Sequence, residues 1–257
     1  MYRAFNLKNI SFTSGYSQLL RLYNQNHVND CKKIRRKIKN FILSNNDING
    51  SALQDAFFPI DLYPDVFISH SHDDEDFAKV FAQYLESTFG IESFIDSVVW
   101  GGFTELQNAL DKYFIRTKGT DYTYDEQYKV ISHVHLMLNT ALMQMIDRCE
   151  AFLLLNTPQS VSVDDIIGDS TYSPWIFSEI GMCHLIEKHE HSRRSQESYF
   201  SAGRIKQRLN LTDFTELTCN DLNTWSKKYQ DEKSQYSLHA LDVLYEMKPL
   251  KNNIKRI

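Results

Sequence analysis

The segment DVFISH, residues 65–70, is a short apolar run that does not alternate between apolar and polar positions. That pattern favours a strand covered on both faces in a parallel sheet. Acidic residues 73–76 follow, at the start of a helical pattern where the helix dipole favours negative charge. Gly90 ends that helix, and residues 91–96 form the next strand. These residues therefore predict a β-α-β unit.

The same alternation of strands and helices continues along the chain. Helices are predicted at 104–114 and 133–148, a third buried strand at 151–155, and an inserted polar loop at 116–132. Further on, the candidate elements are strands within 204–211 and 214–218, a short helix containing Trp225, and a closing helix at 237–247. Alternating strands and helices predict a doubly wound α/β fold with a parallel sheet in the flavodoxin-like order 2-1-3-4-5.

Three segments are expected from the change in pattern along the chain. Residues 1–62 are predicted to form an N-terminal helical extension, 63–250 the main domain and 251–257 a C-terminal tail. The extension contains a basic run at 32–39 with apolar residues at helical spacing, which predicts an amphipathic helix. Its basic face is either a solvated surface or a contact for an acidic partner.

Composition excludes several classes of protein. The chain has 257 residues, of which 42% are hydrophobic and 24% charged, as in ordinary globular proteins. Its net charge of -5 argues against a nucleic-acid binder. The four cysteines are far apart in sequence, so neither a disulfide framework nor a zinc ribbon is expected. Because no stretch approaches about 18 consecutive apolar residues, we expect a cytoplasmic protein without a membrane contact.

A candidate site residue, Glu179, lies in the segment SPWIFSEIGMC, residues 173–183. Ser173 and Pro174 suit the N-cap and first position of a helix. On that helix Trp175 and Glu179 are four residues apart and share a face. Taken alone, this segment fits either a solvated surface acid or an acid in a site.

The predicted topology favours the second interpretation of Glu179. Ligands of doubly wound folds bind beyond the carboxyl ends of the strands, where the strand order reverses. Those ends carry Ser69, His70 and Ser71 after the first strand and residue 156 onward after the third. The helix of Glu179 follows the third strand, and the glycine-containing loop of Trp100 follows the second. We therefore expect these groups to converge.

Two of these segments resemble a known family. Residues 65–75, DVFISHSHDDE, look like the first box of bacterial Toll/interleukin-1 receptor (TIR) domains, and Ser173-Pro174-Trp175 followed by Glu179 resembles their Ser-x-Trp-x-x-x-Glu element. The resemblance covers residues 63–250 and is strongest up to residue 186. The chain departs from the family at His70, where tyrosine is commoner, in the 116–132 insertion, and in lacking a Phe-Trp third box.

The resemblance implies a TIR fold and an activity that cleaves NAD⁺. NAD⁺ would be the substrate, and neither a further cofactor nor a metal is expected. Glu179 would be the catalytic carboxylate, and the NAD⁺-binding residues would be Ser69, His70, Ser71, Trp100 and Trp175. Packing is the alternative role for both tryptophans. Family members share the site between protomers, so TIR–TIR self-association is implied. The chain is similar to the TIR subunit of Thoeris anti-phage systems. This similarity implies that the product is a nucleotide signal, which a separate effector reads.

One carboxylate is chemically sufficient for this reaction. Nicotinamide leaves NAD⁺ as a neutral molecule, so the acid need only hold the ribose and stabilise the oxocarbenium-like charge. Water would then give ADP-ribose, an internal nucleophile a cyclic product, and a foreign base a conjugate. Two other function classes stay open: a non-catalytic TIR–TIR adaptor, and a receiver that binds a nucleotide without cleaving it.

Overall fold

The computed structural model describes residues 2–12, 15–27, 38–44, 47–100, 103–118, 123–164, 168–186, 211, 214–233 and 239–249. Its strands are β1 (Arg3–Lys8), β2 (Val66–Ser69), β3 (Ser93–Phe94), β4 (Ala151–Asn156), β5 (Ser162–Asp164), β6 (Gly168–Ser170) and β7 (Thr215–Leu217). Its helices are α1 (Tyr16–Asn26), α2 (Gly50–Phe57), α3 (Glu75–Phe89), α4 (Asp96–Val99), α5 (Phe103–Lys118), α6 (Tyr124–Arg148), α7 (Pro174–Leu185), α8 (Cys219–Glu232) and α9 (Ala240–Met247).

The main sheet of the described residues has five strands in the order β3-β2-β4-β1-β7, and every neighbouring pair is parallel. β5 and β6 form a separate antiparallel pair, and in the sequence they lie between β4 and α7. Because parallel strands all end at the same edge of a sheet, the segments that follow them start close together. The predicted α/β class with a parallel sheet is confirmed.

Helices cover both faces of this sheet. Phe67, Phe152 and Leu154 point to one face, which we call face one, where they pack with side chains of α2, α5, α6 and α7. Ile68 and Leu153 point to the opposite face, face two, and pack with α1, α3, α8 and α9. The side chains of β2 and β4 alternate between two apolar cores, which is why these two strands are apolar at nearly every position.

The predicted strand order is confirmed for its first three strands and wrong at the fourth position. β2, β3 and β4 are the first three predicted strands, and they lie in the expected order 2-1-3. The next position holds β1, the first strand of the chain, in place of a later strand. The strand predicted within 204–211 falls outside the described residues, apart from Leu211, which belongs to no strand.

The prediction of a purely helical extension at residues 1–62 is wrong for residues 3–8. They form β1, which pairs with β4 from Arg3 and Ala151 to Lys8 and Asn156 and also pairs with β7. Phe5 and Leu7 of β1 are buried within face two. The pairing partners lie far away in the sequence, so local pattern did not identify them. Most of the predicted basic helix at 32–39 lies outside the described residues.

The 116–132 segment is also more regular than the predicted loop. α5 continues to Lys118, and α6 begins at Tyr124. Thr123 starts α6 with a capping box, in which its side chain accepts from the Glu126 N–H while the Glu126 side chain accepts from the Thr123 N–H. This Thr-x-x-Glu spacing is readable in the sequence as a helix start.

The predicted end of α3 and the predicted start of α7 are both confirmed. Gly90 ends α3 with a φ of 68°, in the left-handed region that glycine occupies without a steric penalty. Ser173 caps α7 by accepting a hydrogen bond from the Ile176 N–H at 3.3 Å, and Pro174 takes the first helical position. Among the helices of the described residues, none combines the length and apolar character needed to cross a membrane.

The position of β1 predicts a large loss of stability for the substitution Phe5→Ala. Phe5 is fully buried, so its truncation leaves a cavity in the core of face two and is expected to lower the free energy of unfolding by about 3–5 kcal/mol. Urea unfolding measures this change. The control is Tyr172→Ala, at a side chain 97% exposed, with an expected change within about 0.5 kcal/mol. Equal stability of the two variants would contradict the placement of β1.

Candidate functional site

β2 and β4 are neighbours in the sheet, and the segments that follow them run to opposite faces of the sheet. β2 leads into α3 on face two, whereas β4 leads through β5 and β6 into α7 on face one. A crevice forms beyond strands that diverge in this way. The two following segments are joined by a hydrogen bond from the Thr157 hydroxyl to the Asp74 carboxylate at 2.5 Å.

Glu179 lies on the side of α7 that faces the end of β2. The hydroxyl of Ser69, the last residue of β2, donates a hydrogen bond to Oε2 of Glu179 at 2.6 Å. Both residues are buried, with 1% and 3% of their surfaces exposed. Side chains alternate along a strand, so Ser69 points to face one together with Phe67. The predicted convergence of Ser69 and Glu179 is therefore observed.

Burial raises the pKa of Glu179 well above its ordinary value. The charge of Asp96 raises it further, and the hydrogen bond from Ser69 acts in the opposite direction. Desolvation and a neighbouring negative charge both favour the protonated form of a carboxyl group. Glu179 therefore holds its proton at a higher pH than an exposed glutamate does.

His70, the residue after Ser69, contacts a second group of polar residues. Its Nε2 lies 3.1 Å from the hydroxyl of Ser97, and its Nδ1 lies 3.4 Å from the carbonyl oxygen of Ile68. Nδ1 is also 4.0 Å from a carboxylate oxygen of Asp96. The imidazole side chain is only 2% exposed. It thus lies between the end of β2 and the first turn of α4.

Glu75, in the first turn of α3, also belongs to this group of polar residues. Lys79 donates a hydrogen bond to Glu75 at 2.6 Å, and the side chain of Ser97 is a second hydrogen-bond partner. Burial by itself raises the pKa of Glu75, but these hydrogen bonds and the charges of Lys79 and His70 outweigh it and lower the pKa. An open depression of about 260 Å³, lined partly by Glu75, lies at the surface beside α3.

We call these residues the strand-end cluster. Its members are Ser69, His70, Glu75, Asp96, Ser97 and Glu179. Three of them are acids, held together at one edge of the sheet. Such a cluster can stabilise a cationic group, and Glu179 can donate a hydrogen bond when protonated and accept one when ionised.

Ser71 is near this cluster in sequence, and its position is set by the turn that follows. It is 7% exposed, and its carbonyl oxygen accepts the Asp74 N–H at 2.9 Å at the start of a 3-10 turn at residues 72–74. The described contacts of Ser71 are therefore those of a turn residue. Its role in NAD⁺ binding stays a prediction.

Trp100 was predicted in a glycine-containing loop over the site, and it lies at the end of α4 in the core of face one. It is 4% exposed, its indole N–H donates to the Pro59 carbonyl oxygen at 3.2 Å, and its ring packs edge-on against Phe58 and Phe94. The first turn after β3 is helical, as α4, and this directs the indole inward. A ring held in this way contacts protein on its faces, so its position gives no support to base stacking.

Trp175 lies on α7 and packs against α6. Its ring stacks on His135, with 5.2 Å between the ring centres and 24° between the planes. It also borders the core of face one as a partly buried residue. Packing, one of the two roles expected for Trp175, is the one that its contacts support.

Sequence reasoning missed the contribution of three cluster members. Asp96, Ser97 and Glu75 were not among the predicted site residues. The sequence did contain a signal for Asp96 and Ser97. They directly follow β3, and ligand sites of this fold form at the carboxyl edge of the sheet. The contact between Glu75 and Ser97 joins α3 to α4, and only the tertiary structure brings these helices together.

No family model, curated protein or solved structure matches the chain. Within the residues that the structure describes, no group of three or more His, Cys, Asp or Glu side chains is arranged to hold a metal ion. The functional argument therefore rests on the residues of the strand-end cluster and on the family resemblance.

The raised pKa of Glu179 predicts how the substitution Glu179→Gln changes stability with pH. The folded protein keeps the Glu179 proton over a pH range in which the unfolded chain has lost it. In that range, above the ordinary glutamate value of 4.5, wild-type stability falls as pH rises, by at most about 1.4 kcal/mol per pH unit. The glutamine variant lacks this loss, so its stability relative to wild type should increase with pH.

Urea unfolding of both proteins from about pH 5 to about pH 8 measures that difference. Glutamine has nearly the same shape as glutamate and retains an oxygen that accepts the Ser69 hydrogen bond. The matched control is Glu92→Gln, the same change at an exposed position, and the pH trend of Glu179→Gln should exceed that of this control. A pH-independent difference for Glu179→Gln would contradict the raised pKa of Glu179.

Proposed function

We propose that this chain is a TIR-type enzyme that cleaves the bond between nicotinamide and ribose in NAD⁺, as a glycohydrolase or ADP-ribose cyclase. One observation carries the proposal: the carboxyl group of Glu179 meets Ser69 at the carboxyl edge of a parallel sheet, beside the point where β2 and β4 diverge. The resemblance at residues 65–75 and 173–179 assigns the same glutamate. The product would serve as a nucleotide signal in bacterial anti-phage defence.

The strand-end cluster has the charge that this reaction needs. As the bond between the ribose carbon C1′ and the pyridinium nitrogen breaks, its electron pair moves to nitrogen and nicotinamide leaves as a neutral molecule. Positive charge then develops on the ribose, where an ionised Glu179 stabilises it. Water attacks C1′ and loses one proton, which Glu179 accepts before it passes to solvent. The positively charged nicotinamide ring favours the ionised form of a nearby carboxyl group, so substrate binding opposes the rise in the pKa of Glu179.

The TIR fold is part of the proposal. It is supported by the order of β3, β2 and β4 and by the start of α7 after β4, with Glu179 in its second turn. The position of β1 next to β4 is a departure that any TIR assignment has to accommodate. Self-association through TIR–TIR contacts and a separate effector that reads the product belong to this proposal as well.

The alternative is a non-catalytic TIR–TIR interaction module. It is favoured by the burial of Glu179, which is 3% exposed and hydrogen-bonded to Ser69. A substrate reaches this carboxylate only if neighbouring groups move apart. A carboxyl group closed off permanently would serve as a polar packing residue at the strand end.

The expected result for the enzyme is loss of NAD⁺ and release of nicotinamide by the concentrated wild-type protein. Chromatography of the reaction separates ADP-ribose, cyclic products and conjugates. Glu179→Gln should lower the rate on the order of 100-fold or more, because the carboxylate that stabilises the ribosyl charge is gone. Glu92→Gln, at an exposed glutamate outside the strand-end cluster, should retain the wild-type rate.

Protein concentration and a crowding agent are varied in the same assay, because a site shared between protomers requires assembly. If the wild-type protein leaves NAD⁺ intact even at the highest concentration, the enzyme proposal fails and the interaction module replaces it. Equal rates for wild type and Glu179→Gln would show that cleavage does not depend on this carboxylate.

A further inference from the structure

Ser69 contacts Glu179 from a position that the sheet fixes. It is the last residue of β2, it pairs with Leu154 of β4, and only 1% of its surface is exposed. Its hydroxyl donates to Oε2 of Glu179 at 2.6 Å, within the range of strong hydrogen bonds to carboxylates. Because the strand holds Ser69 in place, this hydrogen bond fixes Oε2 relative to the sheet.

The backbone of α7 is held separately from this contact. Ile176 and Ile180 of α7 are buried in the core of face one. The hydroxyl of Ser178 donates to Oδ1 of Asn139 on α6 at 3.2 Å. These contacts fix the helix, but they leave the rotatable bonds of the Glu179 side chain free. The hydrogen bond from Ser69 is the contact that fixes the end of that side chain.

The second carboxylate oxygen of Glu179, Oε1, has different surroundings. Within the part of the chain that the structure describes, the Ser69 hydroxyl is the only group that donates a hydrogen bond to the Glu179 side chain. Oε1 therefore has no donor there, and protein atoms do not enclose it completely. Since each carboxylate oxygen can accept hydrogen bonds, Oε1 is the oxygen left for a ligand.

We propose that Ser69 is a positioning residue, which holds Oε2 of Glu179 and thereby directs Oε1 toward the ribose of NAD⁺. The inference rests on the proposed function and deepens it. Oε1 is then the oxygen that stabilises the positive charge on the ribose. Ser69 acts on the rate through Glu179, and this role differs from the direct NAD⁺ contact that the family resemblance implies for it.

The first measurement is the kinetics of NAD⁺ cleavage by Ser69→Ala. Without the hydroxyl the carboxyl group can rotate, and kcat should fall by about 10-fold to 100-fold, because a displacement of about 1 Å has effects of that size. KM should stay within about twofold of the wild-type value, since loss of a uniform binding contact would raise KM instead. Ser69→Thr keeps a hydroxyl at this strand position and should retain most of the wild-type rate.

The Glu179→Gln background separates positioning from direct binding. A residue that acts only through the carboxylate loses its effect once that carboxylate is absent. Ser69→Ala should therefore change the residual rate of Glu179→Gln by at most about twofold. An equal loss of rate in both backgrounds, or a rise in KM with kcat unchanged, would overturn the inference, because Ser69 would then act on the substrate directly.

The matched control is Ser178→Ala, the same substitution at the residue before Glu179. The hydroxyl of Ser178 bonds to α6, so its removal loosens α7 without touching the contact between Ser69 and Glu179. Ser178→Ala should keep the wild-type kcat and KM. A loss of rate as large as that of Ser69→Ala would show that any loosening of α7 is sufficient, which also contradicts the positioning role.

The second measurement does not require NAD⁺ cleavage. Protein labelled with ¹³C at the glutamate side-chain carboxyl is titrated by NMR, and the Glu179 signal is the one missing in Glu179→Gln. A hydroxyl stabilises an ionised carboxylate more than a protonated one, so the midpoint should rise by roughly one pH unit in Ser69→Ala. It should not change in Ser178→Ala. Asp96, the charged group among the described residues that acts on Glu179, is retained in both variants.

The two measurements distinguish this inference from the proposed function. If the wild-type protein leaves NAD⁺ intact while the midpoint rises in Ser69→Ala, the proposed function fails and Ser69 still holds the acid. If the wild-type protein cleaves NAD⁺ while the midpoint and kcat of Ser69→Ala are unchanged, the proposed function stands and the inference is overturned.

Discussion

The parallel pairing of β4 with β2 on one side and β1 on the other is the constraint on which the structure depends. All three strands end at one edge, so Ser69, Asn156 and the segments that follow them start close together. The chain then leaves β2 and β4 toward opposite faces, and α7 begins on face one. The contact between Ser69 and Glu179, 110 residues apart in sequence, is a direct result.

The strand-end cluster combines burial with a local excess of negative charge. Lys79 pairs with Glu75 near the surface, whereas at the inner end burial and the charge of Asp96 raise the pKa of Glu179. His70 lies 4.0 Å from Asp96 and 3.1 Å from the hydroxyl of Ser97. The pKa of Glu179 is therefore set by its burial and by its neighbours Asp96 and Ser69.

The sequence predicted the fold well where its signals are local. The β-α-β unit from residue 65, the buried strand before residue 156, and the helix start at Ser173 and Pro174 all follow from apolar periodicity and capping chemistry. It failed at β1, whose partners lie far away in the sequence, and it did not predict the burial of Trp100. For the site, it identified Ser69 and Glu179 but overlooked the roles of Asp96, Ser97 and Glu75.

By itself, the sequence determined the fold class, the order of the first three strands and the identity of the central acid, because periodicity, caps and motif spacing are encoded in neighbouring residues. Only the tertiary structure decided that β1 enters the sheet, that Trp100 is a core residue, and that His70 lies between Asp96 and Ser97. These outcomes depend on pairing between distant segments and on the exclusion of water, and a desolvated cluster acquires its electrostatics only after the chain has folded around it.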